Sequence, residues 1–340
     1  MSAPHAAGWS RRQFLGGLTL AGTAGLLAVR AAPVDAEPPP ETPRLRLYKY
    51  PGICLAPQYV AEGLLRAEGF TDLQYLEFPE GANGVYDRVG SGAVDLTQWF
   101  VAPFIVAADQ KAPLVFLSGV HVGCQELVAT DRIQSIRDLK GKTVAAPFGG
   151  ALISFVVAVL GYVGLDYRTD VNFVEKAPAE AVQLLAEGQV DAFLASPPLV
   201  QELRAQQIGH VLVNMATDRP WSQYFCCMLV GNRDFVRQHP VATKRAVRAI
   251  LKADQICALE PERVARDIVD RGFTKSYDYA LQTMQDVPYG RWREYDPEDA
   301  VRFYALRLHE AKVIESTPQK IIAEYTDWRF LNELKRELKG

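Results

Sequence analysis

The same strand–loop–helix unit occurs twice in this 340-residue chain. Residues 47–69 (LYKYPGICLAPQYVAEGLLRAEG) run from an apolar strand through a Pro-Gly loop into a helix stopped by glycine. Residues 139–165 (LKGKTVAAPFGGALISFVVAVLGYVGL) repeat the pattern through Pro-Phe-Gly-Gly. Downstream of each unit lies a Gly-x-Val-Asp signature, Gly92 to Asp95 and Gly188 to Asp191, with the aspartates 96 positions apart. A duplicated βα pattern of this spacing calls for two α/β lobes, each with a largely parallel sheet. In such sheets ligands bind beyond the carboxyl ends of the strands, and glycine loops opening a helix present unpaired N–H groups there. Two lobes facing each other through those ends enclose a cleft.

The elements fall in order around this frame. Strands are expected at Arg44–Tyr50, Leu73–Phe78, Val94–Gln98, Leu114–Leu117 and Thr143–Ala146, with helices at Ala56–Glu68, Ala82–Val89 and Phe100–Asp109. Glu126–Thr130 and Cys227–Gly231 are short apolar strands that bound the second repeat, so the chain crosses between lobes there and the pair forms a hinge. From Pro240 the pattern is helical: Ala242–Ala258, Pro261–Asp270, Ser276–Gln285, Pro297–Ala311 and Pro318–Ile322. The expected division is lobe 1 over 44–126 and 227–340, with the C-terminal helices, and lobe 2 over 127–226.

Before the first strand, Ser10-Arg11-Arg12-Gln13-Phe14-Leu15 is similar to the twin-arginine export motif of bacteria. The apolar run Phe14–Val29 falls short of the about 20 residues of a membrane span. Val34-Asp35-Ala36 supplies a small-residue cleavage site with no cysteine for lipid attachment. Residues 1–36 therefore read as a cleaved signal and 37–43, with three consecutive prolines, as a linker. The whole chain carries 37 basic and 40 acidic residues, net −3. Removing the signal takes Arg11, Arg12, Arg30 and Asp35 with it and leaves 34 against 39, net −5. That balance offers no footprint for nucleic acid or an anionic membrane. With 49% hydrophobic residues the mature chain can bury two ordinary cores.

Catalytic signatures are scarce. The chain has no P-loop, no His-Glu-x-x-His and no Gly-x-Ser-x-Gly. Its five cysteines, Cys54, Cys124, Cys226, Cys227 and Cys257, form no even disulfide framework and sit mostly in apolar runs, as buried thiols do. His121, at a strand end before Gly123-Cys124, is the nearest candidate base or metal ligand, with Cys124 and Cys226 its possible neighbours near the crossings. The expectation from these residues is no catalytic residue, no metal and no cofactor.

The block Leu139-Lys140-Gly141-Lys142 with Val144, the Gly-x-Val-Asp pair, and Val230-Gly231-Asn232-Arg233-Asp234-Phe235 leading to His239-Pro240 together resemble a family. It is that of the periplasmic substrate-binding proteins of ABC importers, in the NMT1-type nitrate/sulfonate/taurine branch related to thiamine-pyrimidine synthases. The resemblance runs from about Leu45 to Leu334. It implies a type II periplasmic binding protein fold: two α/β lobes joined by two crossover strands. It also implies a monomeric periplasmic protein that binds a small organic ligand and delivers it to ABC permease and ATPase subunits. Carried onto this sequence, the family's ligand contacts fall on Pro51, Gly52 and Ile53, on Gln98, Trp99 and Phe100, on Gly149, Gly150, Ala151 and Ser154, and on Ser196, with Trp221 and Tyr224 before the second crossing. Sulfonate binders often carry a serine-rich helix start, replaced here by Gly149-Gly150-Ala151-Leu152, and Pro197-Pro198 stands where Asp-Pro is common. Backbone N–H groups can still receive an anion, and the aromatic residues suit a flat organic ring better than a small inorganic ion such as nitrate. Sulfonate, carboxylate and aromatic or heterocyclic ligands stay open. The alternatives are an iron-dependent enzyme like the pyrimidine synthases, of whose cysteine-rich run only Phe225-Cys226-Cys227-Met228 remains, and a periplasmic sensor subunit.

Overall fold

A computed structural model describes residues 37–79, 84–146 and 154–338. Among the described residues ten strands form two five-stranded sheets. The first contains β1 (Arg44–Tyr48), β2 (Asp72–Leu76), β3 (Leu96–Phe100), β4 (Leu114–Val122) and β10 (Phe225–Asn232), in the order β2-β1-β3-β10-β4. The second contains β5 (Glu126–Ala129), β6 (Lys142–Ala146), β7 (Val171–Glu175), β8 (Ala192–Ala195) and β9 (His210–Asn214), in the order β7-β6-β8-β5-β9. The topologies match strand for strand. In each sheet three parallel strands are followed by one antiparallel strand, and that strand is the one arriving from the other sheet: β10 in the first, β5 in the second. The two crossings expected near Glu126 and Cys227 are these strands.

The repeated Gly-x-Val-Asp has a local cause in both sheets. Gly92 and Gly188 adopt φ of +73° and +69° just past the helices Val85–Gly90 and Pro178–Ala186, the left-handed turn that ends a helix and that other residues resist. Three residues on, each aspartate ties its own turn to the neighbouring parallel strand, β1 or β6. Asp95 accepts the Arg46 N–H at 2.7 Å while its own N–H donates to Arg46 O at 2.9 Å. Asp191 accepts the Thr143 N–H at 2.9 Å while its N–H donates to Thr143 O at 2.8 Å. The Arg46 guanidinium and that of Arg132 complete the two pairs. These carboxylates sit at the amino ends of the parallel strands, opposite the ligand edge.

Several elements differ from the sequence reading. β4 runs on to Val122 because Gly119 lets the strand pass the Phe225 ring, whose atoms would lie 2.2 Å from a Cβ there. The first helix is two short ones, Ala56–Val60 and Glu62–Ala67, and a last helix, Arg329–Glu337, was not foreseen. The two expected cores are not of like size and are not separate by lobe. One continuous core runs from the first sheet through the C-terminal helices to Phe155, Val156 and Leu194 of the second lobe. A smaller one, around Val128, Leu185 and Phe193, lies on one side of the second sheet. The helix Ser154–Tyr162 packs on Pro297–Glu310, so apolar surface that would close a separate core is shared instead.

Candidate functional site

The carboxyl ends of the parallel strands of both sheets border one cavity of roughly 250 Å³. From the first sheet come Tyr50, Pro51, Gly52, Cys54 and Leu55 after β1, and Trp99 and Phe100 at the end of β3. From the second come Leu194 at the end of β8, the turn Ser196–Leu199 and Pro178 after β7. Cys124 and Gln125, on the first crossing, and Cys227, on β10, lie where the sheets meet. This is the edge where an open α/β sheet binds ligands.

The wall is apolar and aromatic, and among the described residues no charged side chain lines it. Trp99 is held edge-on by Tyr48 and Tyr50, with ring centroids 5.9 and 5.2 Å away. Burial raises the Tyr50 phenol to about 12, so it stays protonated at any physiological pH. Gln125 Nε2 donates to Ser196 Oγ at 3.3 Å, joining the crossing to the turn after β8. Two polar atoms on lining residues, Trp99 Nε1 and Gln125 Oε1, are buried and have no hydrogen-bond partner among the described residues. A buried donor or acceptor without a partner is costly, and a ligand offering the complementary atom removes that cost.

Of the residues named from sequence, the structure brings Pro51, Gly52, Trp99, Phe100 and Ser196 together on this cavity. Gln98, Trp99 and Phe100 are the last three residues of β3, which starts two positions later than Val94 and runs on past Gln98. Gln98 is turned inward instead: its Nε2 donates to Cys54 O at 3.0 Å and its backbone N–H donates to Gln58 Oε1 at 2.8 Å. Ile53 is buried in the short helical turn after Gly52. Ser154 borders a different hollow, with Tyr86, Pro103 and Tyr167. Trp221 is buried against Phe155 and Tyr162, and Tyr224 stacks on Phe303 at 4.0 Å. Gly149, Gly150 and Ala151 lie outside the described residues.

Sequence reasoning did not place Tyr50, Leu55, Pro178, Leu194 or Gln125 at the cavity; their positions at strand ends were the available signal. Around His121 it placed Cys124, as the structure does, but took Cys226 in place of Cys227 and missed Cys54. The ligand-type atoms of Cys54, His121, Cys124 and Cys227 all lie within 4.8 Å of one another, and all four residues are buried. Cys227 pairs with His121 across β10 and β4, where the register shifts. Cys226 Sγ lies 3.3 Å from Cys124 Sγ, outside this set. Burial holds the Cys226 and Cys227 thiols well above their ordinary range, and for Cys54 the contact with Cys124 is the largest upward cause. Protonated thiols are poor nucleophiles.

An arc of ion pairs spans the two lobes beside the cavity. Arg204, on the helix Leu199–Ala205 of the second lobe, bonds the buried Glu126 and reaches Asp286 at 2.6 Å on the C-terminal helix Tyr277–Asp286. Gln201 Nε2 donates to the same Asp286 oxygen at 3.3 Å.

Residues 38–270 match the model of the NMT1-like family. A protein of Brucella abortus (strain 2308), named as a binding protein, is 25% identical over 175 residues, covering 52% of this chain and 54% of the relative, so the match spans about half that protein's length. Among solved structures, the alkanesulfonate-binding protein SsuA of Xanthomonas axonopodis pv. citri, bound to MOPS, superposes with a TM-score of 0.65 at 17% identity, over 82% of this chain and 95% of that one. The periplasmic nitrate-binding protein NrtA of Synechocystis gives 0.71 at 16% identity, over 89% and 90%. The desulfurization enzyme DSZB gives 0.59 at 16% identity, over 86% and 99%. The fold is therefore the two-lobed periplasmic binding protein fold that the family resemblance implied.

Proposed function

The chain belongs to the NMT1-like family, and on that premise we propose that it is a periplasmic solute-binding component of an ABC-type importer. Its ligand is a small organic molecule, a sulfonate, a carboxylate or an aromatic or heterocyclic compound, held in the cleft between the sheets and handed to a permease. One observation carries this reading: the cavity draws on strand ends of both sheets, is apolar and aromatic, and keeps a buried donor on Trp99 and a buried acceptor on Gln125 without protein partners among the described residues. A flat body against Trp99 and Phe100 with an oxygen near Trp99 Nε1 satisfies that wall. A bare inorganic anion does not use the apolar area. Pro51, Gly52, Trp99, Phe100 and Ser196 are the contacts we assign, and export follows the twin-arginine route with cleavage after Ala36.

A second reading, catalysis in the cleft, draws on the three cysteines that line it and on the likeness in fold to a desulfurization enzyme. The buried, protonated thiols speak against a cysteine nucleophile.

A thermal-shift screen of sulfonates, carboxylates and heterocycles tests the choice. Ligand at a hundredfold its Kd adds about 2.7 kcal/mol of stability. Transport requires that the ligand be recovered unchanged after long incubation. Its consumption selects the enzyme.

A further inference from the structure

We propose that Cys54, His121, Cys124 and Cys227 form a Cys3His site for a soft, tetrahedrally coordinated metal ion, zinc foremost, set in the floor of the cleft. The four come from separate segments: the turn after β1, the end of β4, the first crossing and β10. A buried cysteine alone is an ordinary small hydrophobe, as Cys257 is within the helix Pro240–Leu259. Three thiols and an imidazole gathered at one point are a donor set, of the composition that structural zinc sites use. In a tetrahedral site with Zn–S near 2.3 Å, ligand sulfurs stand about 3.8 Å apart. The observed spread within 4.8 Å needs only a contraction of about an ångström or less, within reach of side-chain rotation.

The imidazole is held ready by its neighbours. His121 Nδ1 lies 3.1 Å from Gly123 O, and Nε2 lies 3.1 Å from Cys54 O. Cys54 O already receives Gln98 Nε2 at 3.0 Å and the Tyr289 hydroxyl at 3.2 Å, which occupy its two lone pairs. In the metal-bound form the ring N–H would stay on Nδ1, donated to Gly123 O, and Nε2 would turn its lone pair from the already satisfied Cys54 O to the ion. A backbone carbonyl fixing the tautomer in this way is the usual outer partner of a metal-bound histidine. Binding would release the three thiol protons to solvent and leave three thiolates and a neutral imidazole around the ion. Four protein ligands close the coordination shell, so the role is structural. Cys54, Cys124 and Cys227 line the cavity, so the ion would tie the turn after β1 to both crossings directly beneath the ligand.

The rival is a Cys124–Cys226 disulfide, favoured by their 3.3 Å approach and excluded once Cys124 holds a metal. The assignment does not depend on the transport reading, because its test uses no organic ligand. The full chain, reduced and freed of metal without oxygen, is titrated with cobalt(II). The expected result is saturation at one ion per chain, with sulfur-to-cobalt charge-transfer bands and the intense visible bands of a tetrahedral ion, both bleached by one equivalent of zinc. Cys54→Ser, Cys124→Ser and Cys227→Ser should each weaken uptake by more than about 100-fold, beyond the loss typical of an outer partner; Cys257→Ser should not. The wild-type titration stands by itself if a variant fails to fold. No charge-transfer band in the reduced wild type, or the same spectrum in all three ligand variants, overturns the proposal.

Discussion

Replacing Trp99 by Phe probes the cleft with the least collateral damage. Trp99 is 5% exposed, packed edge-on against Tyr48 and Tyr50, and its Nε1 has no partner among the described residues. Phe keeps a ring between the two tyrosines and deletes the N–H. Ala would open a hole in the lobe 1 core worth about 3–5 kcal/mol of fold stability and confound any binding loss. If a ligand oxygen accepts from Nε1, the loss is about 0.5–1.5 kcal/mol for a neutral acceptor and about 1.5–3 for a charged one. Those ranges correspond to about 2- to 12-fold and about 12- to 150-fold in Kd, so the measured factor also reports whether a carbonyl or a sulfonate or carboxylate faces the indole. Isothermal titration with a ligand from the screen supplies the factor. Intrinsic fluorescence gives a second readout, because Trp99 lines the cavity while Trp221, Trp292 and Trp328 do not. The ligand-induced change should vanish in Trp99→Phe and persist in Trp221→Phe. Unchanged affinity together with a persisting fluorescence change, in a variant that still melts cooperatively, would show that no ligand oxygen meets Trp99 Nε1.

Three further outcomes follow. Asp286→Asn cuts the arc from Arg204 across the lobes; because the pair is partly exposed, the expected cost is about 0.5–1 kcal/mol, seen as a two- to fivefold faster ligand dissociation in stopped flow, and an unaltered rate would show that the arc does not hold the lobes together. Asp254 is fully buried, with one oxygen on Gly290 N at 2.8 Å and the other without a partner among the described residues, and burial lifts its carboxyl well above the usual range. Its raised native value means that its favourable contribution is complete below about pH 4 and is lost as pH rises toward that value; Asp254→Asn should therefore stabilise the fold at neutral pH and not near pH 4, and denaturation showing the same difference at both would contradict this. Arg11→Lys with Arg12→Lys should strand the precursor in the cytoplasm, and undiminished periplasmic protein on a blot would rule out the twin-arginine route.

What was legible in the sequence is what local chemistry enforces. Gly92 and Gly188 must turn left-handed, and Asp95 and Asp191 must meet a strand N–H, so the duplication shows in the letters and recurs in two matching sheets. Strand-end loops were legible for the same reason, which placed Pro51, Gly52 and Ser196 at the cavity edge. Facing was not. All five residues of β3 are buried, so alternation could not say that Trp99 looks into the cavity while Gln98 turns to Cys54 O. The shifted register between Phe225 and Met228 hid which of the adjacent cysteines joins His121; the answer is Cys227, not Cys226. Trp221 packs on Phe155 and Tyr162, and Tyr224 on Phe303, partners distant in sequence that no local pattern announces.

The central claim is that one small molecule is bound, unaltered, between the two sheets. A crystal structure of the protein with a ligand taken from the thermal-shift screen tests it most directly. The expected result is an intact molecule touching Trp99 from the first sheet and Ser196 from the second, with one of its oxygens within hydrogen-bond distance of Trp99 Nε1. A ligand bound elsewhere, or held by one sheet alone, would contradict it.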